Sequence, residues 1–202
     1  MYLGGSDLPA HIRGPRDAVR LGVALLTEDR KGQGLLLPRP IRENVTLAGM
    51  RTVSGPGGWI RGGLEALVAK RWVDRLAVRC ANADQAAGEL SGGNQQKVVL
   101  AKWLASDADV FIFDEPTRGI DVESKASIHD MIRDLTRRGI AVLMVSSELP
   151  EIIGMSDRIL VMWDGRIAGE LPAKASEQEI MLMATGHTLK NDAKIPVTAG
   201  KE

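Results

Sequence analysis

Apolar and polar positions alternate along this chain in two distinct rhythms. From residue 91 onward short apolar runs alternate with helical spacing, the pattern of strand–helix units. A helix is predicted after Gly92 and Gly93, with Val99, Leu100, Trp103 and Leu104 on one face. Val110–Phe113 is an unbroken apolar run ending in acid, as expected of a strand buried on both faces. Ile128, Met131, Ile132 and Leu135 recur at i, i+3, i+4 and i+7 within residues 122–138, and Gly139 follows as a C-terminal cap. Residues 140–145 form a second apolar run, predicted as another buried strand. Residues 159–163 and 166–171 flank Asp164-Gly165, which predicts a hairpin with a type I′ turn. Ser176-x-x-Glu179 is a capping box opening a last helix to about Ala184, at 176–185.

The amino-terminal part reads differently. A short helix over Pro15–Arg20 feeds a strand at 22–26, and Pro38 and Pro40 then interrupt the chain. The glycines at 55, 57, 58, 62 and 63 predict a flexible connection. After them Leu64, Leu67, Val68, Trp72 and Leu76 predict an amphipathic helix over 64–78. Residues 41–90 therefore read as a mainly helical insert ahead of a core at 91–171, all within one α/β unit at 1–187. The polar stretch 188–202 lacks periodicity and is expected to be disordered.

Charge narrows the partners. The 202 residues hold 26 Lys plus Arg and 26 Asp plus Glu, so no net field draws nucleic acid or an anionic membrane. The single cysteine, Cys80, allows no intrachain disulfide and reads as a plain thiol. No apolar run approaches the ~20 residues that span a bilayer, so any membrane role must come through a partner.

Chemistry concentrates in a few stretches. In Leu90-Ser91-Gly92-Gly93-Asn94-Gln95-Gln96-Lys97, glycines at a helix start let backbone amides approach an anion, with the Ser91 hydroxyl as a further donor. Asp114-Glu115 ends an apolar strand, where α/β sheets place ligand groups. Thr27-Glu28-Asp29-Arg30-Lys31 is a charged turn after the first strand, and Val145-Ser146-Ser147-Glu148 follows the later one. His11, His129 and His187 stand apart from these motifs and read as surface or interface residues.

Together with Pro116-Thr117-Arg118-Gly119-Ile120-Asp121, these motifs resemble the ATP-binding cassette (ABC) family, from about Gly4 to Gly186. The particular combination is similar to the second nucleotide-binding domain of tandem ATP-binding subunits in bacterial ribose/xylose/galactose-type importers. The resemblance implies a P-loop NTPase (ABC ATPase) core with a helical subdomain at 41–90. It implies that Ser91, Gly92, Gly93, Asn94 and Gln95 form the signature loop that closes over ATP held by a partner domain. Asp114 would hold Mg²⁺, and Glu115 would orient or deprotonate the attacking water. Asp121, in the D-loop, would face the partner. Glu28 stands where the family has the Q-loop glutamine, and there a carboxylate would repel phosphate unless Mg²⁺ lies between. Ser147 stands where the family has its switch histidine.

One expected element has no counterpart. The phosphate-binding G-x-x-x-x-G-K-[S/T] does not occur in these 202 residues; in the family it precedes the strand at 22–26. The chain is expected to be an incomplete cassette that does not bind or hydrolyse ATP efficiently alone. It is also expected to be poorly stable or aggregation-prone unless a partner covers the face left open. The resemblance implies a second nucleotide-binding domain and permease membrane subunits as partners, with Glu43, Asn44 and Leu47 touching the permease. A periplasmic sugar-binding protein would be an indirect partner, and nucleic acid none. The place implied is cytoplasmic, peripheral on the inner face of the plasma membrane. An alternative is a non-enzymatic module whose signature loop completes a partner's ATP site. A third, a cassette ATPase acting on DNA or ribosomes, is disfavoured by the balanced charge.

Overall fold

The structure is a computed structural model that describes residues 12–106 and 108–187. His11 and the tail at 188–202 lie outside the described residues. The chain divides into two compact units, one ending at Val145 and the other starting at Ser146.

The first unit is built on a parallel sheet of β1 (Val23–Leu26), β2 (Val110–Asp114) and β3 (Ala141–Val145) in that spatial order. Leu25, Ile112 and Leu143 lie side by side in register. Preceding β1 is α1 (Pro15–Arg20), with proline in its first turn. Between β1 and β2 come α2 (Ile41–Thr46), α3 (Met50–Val53), α4 (Gly62–Arg75) and α5 (Gly92–Leu104). Between β2 and β3 runs α6 (Val122–Arg137), ended by Gly139 at φ +82°, the left-handed cap its sequence predicts.

One face of the sheet is well covered. Ala24, Leu26, Phe111 and Phe113 are at most 1 % exposed, and the two phenylalanine rings stack at 5.9 Å between centroids. The other face is only partly covered: Leu25 is 44 % exposed, Leu143 51 % and Val145 49 %, while Ile112 between them is half-buried. This corrects the expectation that β3 is buried on both faces; β2 is buried on one face and half-buried on the other. The apolar runs are present, but among the described residues nothing packs fully over the side holding Leu25, Leu143 and Val145.

The helical segment is held by polar pins as well as apolar packing. Asn44, fully buried, accepts from Leu36 N (2.7 Å) and donates to Leu36 O (3.1 Å) and Pro40 O (3.1 Å). It therefore cannot touch a permease, as the resemblance implied; it staples the 36–40 bend to α2. The Glu65 carboxylate receives the Thr46 hydroxyl (3.2 Å) and lies 3.3 Å from the Arg42 guanidinium. Leu67, expected on the packed face of α4, is 65 % exposed. The glycine-rich 55–63 stretch is a hydrogen-bonded turn instead of a loose connection, with Ser54 bridging Ile60 and Gly55 N donating to Trp59 O (2.8 Å).

The second unit contains α7 (Leu149–Met155), the antiparallel hairpin β4 (Arg158–Trp163) and β5 (Arg166–Pro172), and α8 (Glu177–Ala184). Asp164 and Gly165 both have positive φ, +47° and +73°, as a type I′ turn requires. Ser176 and Glu179 form the predicted capping box. Ile159, Val161, Leu171, Ile180 and Met183 make its small core.

Candidate functional site

The loop before α5 has Ser91 as N-cap residue, with extended backbone. Its hydroxyl makes no capping bond to the helix; it accepts instead from Asn94 Nδ2 (2.9 Å). Asn94 in turn accepts from Arg79 N (2.8 Å), tying the loop to the chain after α4. Gln95 is turned inward, 4 % exposed, and donates to Leu90 O (3.1 Å). It braces the loop from behind, away from any surface where an anion could arrive.

Both glycines face residues of their own chain. A Cβ at Gly93 would lie 3.0 Å from Ser124 Cβ and 3.4 Å from Asp121 Oδ2, so α5 and α6 start almost in contact. A Cβ at Gly92 would lie 3.0 Å from Arg30 Nη2. The sequence argument assigned these glycines to phosphate approach; the structure adds an intramolecular demand at each.

Asp121 is the N-cap of α6, accepting from Ser124 N (2.9 Å) and Ser124 Oγ (2.8 Å). Those two bonds, the backbone one foremost, hold its carboxyl below the usual range. Arg30 Nη1 donates to Arg118 O (3.2 Å), with Nη2 at 3.5 Å from Gly119 O. Arg118 pairs through its own guanidinium with Glu28. The Glu28 carboxylate thus already has a cationic partner within the chain, where the sequence reading had called for Mg²⁺. Glu28, Arg30 and Arg118, with Asp29 and Lys31, line a shallow cavity of about 260 Å³.

Arg30 opens a five-residue π-helical turn, Arg30–Gly34, that the sequence did not predict. Asp29 caps it through Gly32 N (2.9 Å). Its far end is held by Lys102 of α5, whose ammonium donates to Gly34 O (2.6 Å). Burial lowers the Lys102 pKa to about 8. Arg30 and Lys102 are the residues that sequence reasoning missed at this site. Their partners are backbone carbonyls 68 to 89 positions away, which no periodicity reports.

Asp114 ends β2 in register with Val145, at the carboxyl edge of the sheet. Glu115 follows with φ +47°, a left-handed conformation that a non-glycine residue adopts at some cost, held by its amide donating to Val145 O (2.9 Å). Among the described residues no three acidic, histidine or cysteine side chains converge as a metal cage. Mg²⁺ is ordinarily bound by one or two carboxylates plus waters and phosphates. Asp114 fits that pattern as a single protein ligand, and the ion would supply charge neutralisation at a phosphate. No glycine-rich phosphate cradle lies beside it in these residues. Ser147, exposed, belongs to the second unit, where Glu148 N donates to Ser146 Oγ (3.0 Å). His129 is half-buried and His187 exposed near Thr185 Oγ1 (3.1 Å). Cys80 has its pKa raised by burial, then by Asp74, which disfavours the thiolate.

A parallel sheet with acids at its carboxyl edge, a Ser-Gly-Gly helix start and an inserted helical segment defines an ABC-type ATPase core of the P-loop NTPase class. Solved structures show the same fold. A dimeric ATP-binding cassette in a post-hydrolysis state bound to ADP and Pi matches with TM-score 0.65 and 19 % identity, over 80 % of this chain and 68 % of that one. The ADP conformation of an ATP-binding cassette of an ABC transporter matches with TM-score 0.63 and 22 % identity, over 85 % and 68 %.

The family profile described as "ABC transporter" matches residues 17–118, and the chain belongs to that family. It is 49 % identical over 176 residues to the ribose import ATP-binding protein RbsA of Bacillus subtilis, covering 87 % of this chain and 36 % of the relative. It is 46 % identical over 179 residues to a putative ribose/galactose/methyl galactoside import ATP-binding protein of Rhizobium etli, covering 88 % and 34 %. The chain thus spans about a third of the length of these curated relatives.

Proposed function

We propose that these residues act as the second nucleotide-binding domain of a sugar-importing ABC transporter, of the ribose/galactose class its relatives are named for. Ser91, Gly92, Gly93 and Asn94 present the first turn of α5 to the γ-phosphate of an ATP whose phosphates a partner nucleotide-binding domain cradles. The observation that carries this reading is the Ser91 loop. It is an uncapped start of a 13-residue helix, pinned by Gln95 and Asn94, with Ser91 exposed, Gly92 half-buried beside Arg30 and Gly93 buried against the start of α6.

Asp114 and Glu115 are the residues placed for Mg²⁺ and for the attacking water at this domain's own site. Without the phosphate cradle and its lysine, the 202 residues alone bind ATP weakly and do not hydrolyse it efficiently. Asp121 and the 117–121 segment border the partner domain. Glu43, half-buried on α2, and Leu47, exposed just after it, face the permease. The partners are a second nucleotide-binding domain, permease subunits and, through them, a periplasmic sugar receptor. The chain works at the cytoplasmic face of the membrane; among its described residues no helix is long and apolar enough to cross one.

The test is ATP-dependent association of this chain with a P-loop-bearing cassette of the same transporter class, made hydrolysis-deficient and followed by size-exclusion chromatography. We expect a heterodimer with ATP and its loss with Ser91→Arg, which puts a bulky cation into the loop. Equal association with and without ATP would overturn the proposal.

A further inference from the structure

We propose that Arg30 is a positioning residue that ties its own turn after β1 to the 117–121 segment and abuts the Ser91–Gly93 loop at Gly92. A side chain at position 92 would then press on the Arg30 guanidinium. The functional consequence rests on the reading of the Ser91 loop given above; the structural claim does not.

Four observations converge. The Arg30 guanidinium donates to Arg118 O (3.2 Å) and reaches Gly119 O (3.5 Å), while Glu28, two residues earlier, takes the Arg118 side chain. Residue 118 is therefore held at both its carbonyl and its guanidinium by one short stretch. The two Arg30 bonds and the Glu28–Arg118 ion pair are all solvent-exposed, so the grip rests on several weak contacts acting together. Arg30 Nε is buried with no hydrogen-bond partner among the described residues. Leaving that donor unpartnered costs free energy, which the guanidinium's carbonyl contacts must offset. The π-helical turn carrying Arg30 is fixed at both ends, by Asp29 to Gly32 N (2.9 Å) and by Lys102 to Gly34 O (2.6 Å).

The fourth observation concerns Gly92 itself. Its φ is not positive, so its backbone makes no demand for glycine. The atoms nearest an added Cβ are Arg30 Nη2 at 3.0 Å and Arg30 Cζ at 3.6 Å, then Gly119 O at an ordinary 3.8 Å. Among these three atoms the tight contact for alanine at 92 is the tip of the Arg30 side chain, which must shift by a few tenths of an ångström to admit it. At Gly93 the obstacle is the start of α6, and Arg30 is not among its neighbours.

This makes a mutant cycle diagnostic. Gly92→Ala, Arg30→Met, their double variant and Gly93→Ala are made in the full chain, and hydrogen exchange of the 117–121 amides is followed without nucleotide. Arg30→Met keeps the aliphatic stem and removes the guanidinium. It should speed exchange there roughly tenfold. Gly92→Ala should speed it by a smaller factor, by shifting the guanidinium against its carbonyls. The double variant should exchange no faster than Arg30→Met alone. Gly93→Ala should instead add its full effect on top of Arg30→Met. Arg30→Lys, with charge but no fork, should fall between wild type and Arg30→Met. Additive effects of Gly92→Ala and Arg30→Met, or wild-type exchange in Arg30→Met, would overturn the proposal. If Arg30→Met does not fold, the cycle with Arg30→Lys decides by the same non-additivity. Absence of ATP-dependent association in the wild-type chain would count against the functional reading only, because the exchange experiment uses no nucleotide.

Discussion

A methyl group at residue 93 would run into Ser124, and one at residue 92 into Arg30. Sequence reasoning recognises the Ser-Gly-Gly pattern and the helix behind it, and so finds the loop. It cannot tell that each glycine also answers to a neighbour tens of positions away. Gly93→Ala should destabilise the fold by about 1–3 kcal/mol in urea unfolding, the usual cost of overpacking a tight contact. Two ionisable groups give opposite pH signatures. The Lys102 pKa is lowered to about 8 against about 10.4 unfolded. The unfolded chain therefore binds more protons between those values, and stability should rise as pH increases from about 8 to 10. Urea midpoints measured across that range should show the rise, and Lys102→Met should remove it. Asp121, with a lowered carboxyl pKa, contributes its cap fully above about pH 4 and loses it as pH falls through the folded value. Asp121→Asn should flatten that acid limb in a pH titration of helicity.

Elements with local signals match their sequence closely. Asp164-Gly165 folds as a type I′ turn, Ser176 and Glu179 close their capping box, and Gly139 takes the left-handed cap. Each depends on residues within four positions of one another. The elements that were missed lack such signals. The π-helical turn at 30–34 is held by Asp29 and by distant Lys102, and α7 is a seven-residue helix opened by Leu149-Pro150. Within the helical segment Arg42, Glu65 and Thr46 form a mostly buried polar knot. Arg42→Met should cost about 1–3 kcal/mol, because it removes the cation that pairs with the largely buried Glu65 carboxylate; discounting for the partial exposure of Arg42 sets the lower bound. Gly139→Ala should cost about 1 kcal/mol through backbone strain alone, since nothing lies within 4 Å of the added Cβ. Chemical unfolding of each variant checks both.

For the whole molecule, the open sheet face joins fold to function. Apolar runs at 110–113 and 141–145 announce strands meant for cover on two sides. The structure covers one side and leaves Leu25, Leu143 and Val145 in solvent. An exposed apolar sheet face of this kind favours association. The isolated chain should self-associate on sedimentation, and Leu143→Lys should reduce it; a monomeric wild-type chain with a cooperative melt would refute this. The same uncovered side lies beside the carboxyl edge that carries Asp114 and Glu115, where a nucleotide's phosphates would need a cradle. On the proposed reading, the Ser91 loop serves ATP bound elsewhere, while Asp114 and Glu115 lack a cradle of their own. Equilibrium binding of labelled ATP to the purified chain, with and without Mg²⁺, tests this. We predict no saturable binding at micromolar concentrations under either condition. Micromolar, Mg²⁺-dependent binding abolished by Asp114→Asn would contradict it.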